Sequence, residues 1–189
     1  MQRLVTVLFL LTALGCTAAT TDSTGAQAYL GVVAGTDVAV AAVVSDDRFV
    51  FYSCGGDVSY ATHSFWLAAD LDDGGALTAS KPGRSLEASF SGDALVGTLE
   101  VDGVVLPVQL RRAPDDDMSG LYDVFDDGCR TGVIVAPGDG APIIQGTWCD
   151  GERFEQVTPA RPIVMRAGML QVSVPAMDER ELWVEPVTP

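Results

Sequence analysis

Residues 38–54 read VAVAAVVSDDRFVFYSC. Two runs of β-branched, small and aromatic residues flank Ser45-Asp46-Asp47, which predicts an antiparallel hairpin. Successive side chains of a strand point to opposite faces. Val38, Val40, Ala42 and Val44 therefore share one face, and Ala39, Ala41 and Val43 share the other. Neither face is polar. A strand apolar on both faces fits burial from two sides better than a sheet with one wet face. In the returning strand Phe49 and Phe51 alternate with Val50 and Tyr52, so at least one of those faces is expected to be core.

The same pattern continues outward. Residues 94–101 and 104–112 flank Asp102-Gly103, the pair that suits a type I′ turn because both central residues take positive φ. That turn sets Leu99 opposite Leu106 and Val101 opposite Val104. A third hairpin is expected from residues 132–136 and 142–149 around Gly138-Asp139-Gly140. Further strands are predicted at 29–33, 64–71, 86–91, 121–125 and 169–174, and Asp73-Gly74, Asp127-Gly128 and Asp150-Gly151 repeat the turn chemistry. The one departure is a short helix expected near 176–181. The fold class is all-β: an antiparallel meander closing into a barrel or a two-sheet sandwich. Residues 28–184 are read as one β domain and 185–189 as a tail. The segment 113–119 (APDDDMS), the only candidate internal boundary, is read as a long loop.

The N-terminus carries an address. Arg3 precedes an uncharged, mostly apolar run over 4–14, too short for the ~20 residues of a spanning helix but suited to an export signal over 1–15. Ala13-Leu14-Gly15-Cys16 resembles the lipobox of bacterial lipoproteins, with Ala13 where Leu is commonest. The resemblance implies a diacylglyceryl group on Cys16, cleavage before it, and attachment to a bacterial membrane, the outer one where the cell has two. Residues 16–27, with no large apolar side chain after Cys16, suit a solvated tether.

Tyr29-Leu30-Gly31, Tyr52-Ser53-Cys54-Gly55-Gly56, Trp66, Val96-Gly97-Thr98-Leu99 and Gly120-Leu121-Tyr122 follow one another in that order. The series resembles a family of exported β-domains and lipoproteins of high-GC bacteria. It implies the fold and the location, with no activity or site residue to carry over.

The 189 residues hold 26 acids, 19 of them Asp, against 10 Arg and Lys81, for a formal charge of −15. With no basic run, the chain lacks the clustered Lys and Arg that nucleic acid or anionic headgroups require, so no nucleic-acid partner is expected. His63 is the only histidine and Asn is absent, which removes multi-histidine zinc sites and Cys-His-Asn nucleophile sites. The acids follow the turns, where Asp takes positions that Asn often fills.

Three cysteines follow Cys16. A hairpin symmetric about Asp139 would set Cys129 directly opposite Cys149, at a separation a disulfide spans. Cys54 with Cys149 is the rival pairing, and either leaves one thiol, whose simplest reading is a buried small apolar residue. Asp70, Asp72 and Asp73 begin a loop that resembles a calcium loop, but Lys81 stands where the closing Glu belongs. Asp115, Asp116, Asp117, Asp126 and Asp127 crowd one region and are weak candidates for calcium.

No Gly-x-Ser-x-Gly elbow is present, and Lys81, the only lysine a Ser-Lys pair could use, sits in Ser80-Lys81-Pro82-Gly83, read as an exposed turn. Phe49, Phe51, Tyr52, Phe65 and Trp66 offer, beyond core, an aromatic patch or barrel mouth for a glycan or apolar ligand. The chain is therefore expected to act without catalysis, binding an envelope protein or glycan or serving a structural role. The alternative is an inhibitor similar to the membrane-bound lysozyme inhibitors, which Tyr52-Ser53-Cys54 and Ser119-Gly120-Leu121-Tyr122 echo in part. A carboxylate-based glycan hydrolase ranks third.

Overall fold

A computed structural model describes residues 25–72, 74–116 and 118–189. The segment read as an export signal, Cys16, Asp73 and Asp117 lie outside the described residues. Eight strands occupy the N-terminal part: β1 (Gln27–Val32), β2 (Ala39–Val44), β3 (Arg48–Cys54), β4 (Phe65–Asp70), β5 (Leu77–Lys81), β6 (Arg84–Ser91), β7 (Ala94–Val101) and β8 (Val104–Arg112). A single helical turn, α1 (Tyr60–His63), leads into β4. Seven strands follow residues 113–119: β9 (Gly120–Asp126), β10 (Cys129–Ala136), β11 (Ile143–Cys149), β12 (Phe154–Pro159), β13 (Met165–Arg166), β14 (Met169–Val174) and β15 (Arg180–Pro186).

The first eight strands form one antiparallel sheet in the order β4-β3-β2-β1-β8-β7-β6-β5. Because β1 pairs with β8, the meander curls into a barrel with an unpaired seam, among the described residues, between β4 and β5. The other strands close fully: β9 through β12 run in order, β14 pairs with both β12 and β15, and β15 returns to β9. The result is a nearly closed eight-stranded barrel beside a closed six-stranded one. Barrels of this size are filled by their own side chains. Val40, Phe49, Phe51, Leu86, Leu99 and Leu110 fill the first, and Trp148, Val133, Leu170, Val172 and Val184 the second.

The hairpin over 38–54 forms as read, with Val44 opposite Phe49 and Ala39 opposite Cys54. Val38, Val40, Ala42 and Val44 enter the first barrel. Ala39, Ala41, Val43, Val50, Tyr52 and Cys54 leave it on the other face, yet they are buried against Leu121 and Ile134 of the second barrel. The two-sided apolar pattern is thus explained by one barrel inside and another outside. Leu99 pairs with Leu106 and Val101 with Val104 across a turn in which Asp102 has φ 50° and Gly103 φ 83°. Asp127-Gly128 repeats it, and Ala167-Gly168 does so with Ala in the first place.

The structure corrects the expected helix near 176–181. A 3-10 turn, Pro175–Met177, is followed by Asp178 and Glu179 at positive φ, which stops helical continuation. The chain then enters β15, where Leu182 and Val184 alternate into the barrel. Val187, in the segment read as a tail, is buried in the layer between the barrels. Strands β5, β12, β13 and β15 and the turn α1 were not expected from sequence, because their apolar residues are few or interrupted.

Candidate functional site

Where the two barrels meet, the polar groups of one find partners on the other. Trp66 Nε1 donates to the Arg130 carbonyl at 3.0 Å, and Gln145 Nε2 donates to the Cys54 and Asp37 carbonyls at 2.7 and 3.0 Å. Ser64 Oγ lies 2.8 Å from Thr147 Oγ1, which is also 3.6 Å from the Cys54 thiol. Buried polar atoms without partners are costly, so these crossings hold the barrels in one arrangement.

The Trp66 ring carries two neighbours: Tyr52 stacks on it at 4.3 Å between centroids, and the Arg130 guanidinium lies over it at 3.9 Å. Gly132 of β10 makes room for the aromatics. A Cβ there would fall 2.5 Å from the Tyr52 ring and 2.7 Å from that of Trp66. Arg130 also donates to Asp123 Oδ2 at 2.5 Å.

Beside this stack is a cleft of about 180 Å³. Tyr52, Ser64, Phe65, Trp66 and Lys81 line it from the first barrel, and Arg130, Thr147, Phe154 and the Cys129–Cys149 bridge from the second. Lys81 ends β5 rather than lying within a turn, and Pro82-Gly83 joins it to Arg84. Its Nζ sits 5.2 Å from the centre of the Phe65 ring, and Arg84 approaches the same ring at 5.3 Å. Partial burial, then the Arg84 charge, lowers the Lys81 pKa. Arg84 pairs with Asp102 and Arg130 with Asp123, whereas Lys81 makes no ion pair among the described residues. Among the described residues no Asp or Glu lines the cleft. A larger hollow of about 500 Å³, between the end of the β7–β8 hairpin and residues 113–115, is open and mixes Arg111 and Arg112 with Asp93 and Asp115.

Cys129 and Cys149 form a disulfide, with Cα atoms 5.6 Å apart. The expected pair is present, but the register that suggested it is not. Gly132 pairs with Thr147 and Ala136 with Ile143, one residue off symmetry about Asp139. Three residues then lead from Gly132 to Cys129 and two from Thr147 to Cys149, a bulge-like slip that brings the cysteines back into line. Cys54 is a buried free thiol whose pKa is raised by burial. The same burial, with Cys54 beside it, pushes Tyr52 well above the usual phenol range.

Among the described residues, the acids singled out from sequence do not converge. Asp115 faces Arg112, Asp116 accepts the Met118 N–H at 2.8 Å and the Ser119 hydroxyl at 2.7 Å, and Arg180 binds both Asp126 and Asp127. Asp126 Oδ2, enclosed and without a well-angled hydrogen bond, has Arg180 Nη2 at 2.7 Å as its ion-pair partner. Among the described residues no three His, Cys, Asp or Glu side chains gather as a ligand set. Asp72 Oδ1 accepts the N–H groups of Gly74 and Ala76, the work of a turn.

Asp37, Asp116 and Asp150 all titrate below the ordinary carboxylate range, Asp150 at about 2. Donors cause each shift: the Ser59 hydroxyl and Val58 N–H for Asp37, Ser119 for Asp116, and the Arg153 N–H and guanidinium for Asp150. A general acid at neutral pH needs the opposite displacement. His63 bonds Thr62 at 2.9 Å, and Ser64 is held by Thr147 and the Gly55 N–H, with no hydrogen bond to Lys81.

Of the aromatics noted in the sequence, Phe49 and Phe51 are core, Tyr52 lies at the junction, and Phe65 and Trp66 line the cleft. Sequence reasoning missed Arg130, Thr147 and Phe154. The nearest signal was the two-faced hairpin, which required a second layer without naming it. No protein-family model, curated protein or solved structure matches the chain.

Proposed function

We propose that the protein is exported, held at a bacterial membrane by a lipid on Cys16, and acts there by binding rather than catalysis, with the cleft between the barrels as its binding site. The observation that carries the reading is the cleft's lining: aromatic walls, two basic side chains and paired hydroxyls, with no nucleophile set against a base. Such a mixture of apolar surface and a few converging polar groups is what small-molecule sites present.

The full-length chain, expressed in a bacterium and purified in detergent, is expected to partition with membranes, and Cys16→Ser to release it. Incubated with envelope extract and examined by native mass spectrometry, it should retain a low-mass ligand that Phe154→Ala loses. A bare protein in both cases would sink the binding reading.

A further inference from the structure

We propose that the inter-barrel cleft takes a monocarboxylate carried on a single ring or a similarly small apolar body, with Lys81 as the partner of the carboxylate. The inference rests on the reading of the cleft as a binding site and names what enters it.

Charge is the first argument. In a chain with 26 acids and 11 bases, the described residues that line this cleft include two bases and no acid. The local balance is finer than that count. The Arg130 charge is met by Asp123, and that of nearby Arg84 by Asp102. Lys81, the only lysine of the chain, is left with an aromatic face and no carboxylate among the described residues. One uncompensated positive charge matches one negative charge. A dianion such as phosphate would bring a second charge that the arginines, already neutralised, do not answer.

Size is the second. An apolar cavity near 150 Å³ accommodates one benzene ring, and this cleft measures about 180 Å³. Phe65, Trp66 and Phe154 supply the apolar walls, while Ser64 and Thr147 provide hydroxyls that can reorient toward a carboxylate oxygen. Trp66 has its only donor committed to the Arg130 carbonyl, so it serves as surface.

The carboxylate could belong to a free acid or to the C-terminus of a peptide. Calorimetric titration of the full-length chain in detergent separates these, using phenylacetate, benzyl alcohol, benzylamine, acetyl-Gly-Phe and the amide of acetyl-Gly-Phe as probes. Phenylacetate is expected to bind at least tenfold tighter than benzyl alcohol, and benzylamine weakest. Lys81→Met, which keeps the aliphatic stem, should weaken phenylacetate about tenfold and abolish its advantage over the alcohol. Lys81→Arg should restore that advantage, and Arg166→Met, on β13, should leave it unchanged. Binding of acetyl-Gly-Phe but not its amide assigns the site to chain termini, whereas phenylacetate binding alone assigns it to free acids; either supports the proposal. Equal affinity for acid and alcohol, or unchanged acid binding in Lys81→Met, overturns the carboxylate assignment and leaves the cleft reading standing. No binding by any probe overturns both.

Discussion

At the scale of single residues, burial sets the chemistry of Cys54. Its thiol touches Thr147 and lies near Tyr52, with no charge to stabilise a thiolate. Because burial raises its pKa, the folded state favours the neutral thiol. The associated stability is fully present below the unfolded thiol value, near pH 8.5, and is lost as pH rises through the raised folded value. In the folded protein at pH 8, iodoacetamide should leave Cys54 unmodified, while protein unfolded in urea without reductant should take up one label on it. Rapid labelling of the native protein would show the site to be open.

At the scale of elements, the Cys129–Cys149 bridge ties the start of β10 to the end of β11, beyond the last paired residues Gly132 and Thr147. It also forms part of the cleft lining. Closing a loop with a sequence separation of 20 residues removes unfolded-state entropy and contributes about 3 kcal/mol in the chain-entropy model. The double variant Cys129→Ser, Cys149→Ser is therefore expected to lower the urea midpoint by an amount equivalent to about 3 kcal/mol. An unchanged midpoint would mean that the hairpin is held by its hydrogen bonds and by Trp148 alone.

At the scale of the whole molecule, the barrels are joined by a buried layer in which Tyr52, Ala41, Val43 and Cys54 meet Leu121, Ile134 and Val187. Gly132 is one point of close approach. Any larger residue must move the Tyr52–Trp66 stack or the β10 backbone. Gly132→Val should destabilise the protein by about 2 kcal/mol or more, as overpacking of a tight contact does. It should also reduce phenylacetate affinity, since the cleft is lined by the same aromatic pair. Thermal melting and calorimetry of one preparation test both parts; a variant with native stability would show that the barrels can separate without cost.

The strands that form the two barrels were largely legible, because period-two alternation and Asp-Gly turns are local properties with local causes. The hairpin at 94–112 could be placed to the residue and that at 38–54 to within one, since β2 starts at Ala39 rather than Val38, and the two-faced character of β2 announced a second covering layer. The disulfide partners were legible too, although through a register that the fold displaced by one residue. Other features depended on contacts distant in sequence. No local pattern states that β1 pairs with β8, that β4 and β5 are left as a seam, or that Arg130 reaches Trp66 across 64 residues. The cleft exists because those three arrangements coincide. The sequence by itself determined most of the strands and the acidic turns, through alternation and backbone sterics. Tertiary structure alone decided which acids meet an arginine and that Lys81 stands unpaired among the described residues, because charge pairing depends on distance in space rather than along the chain.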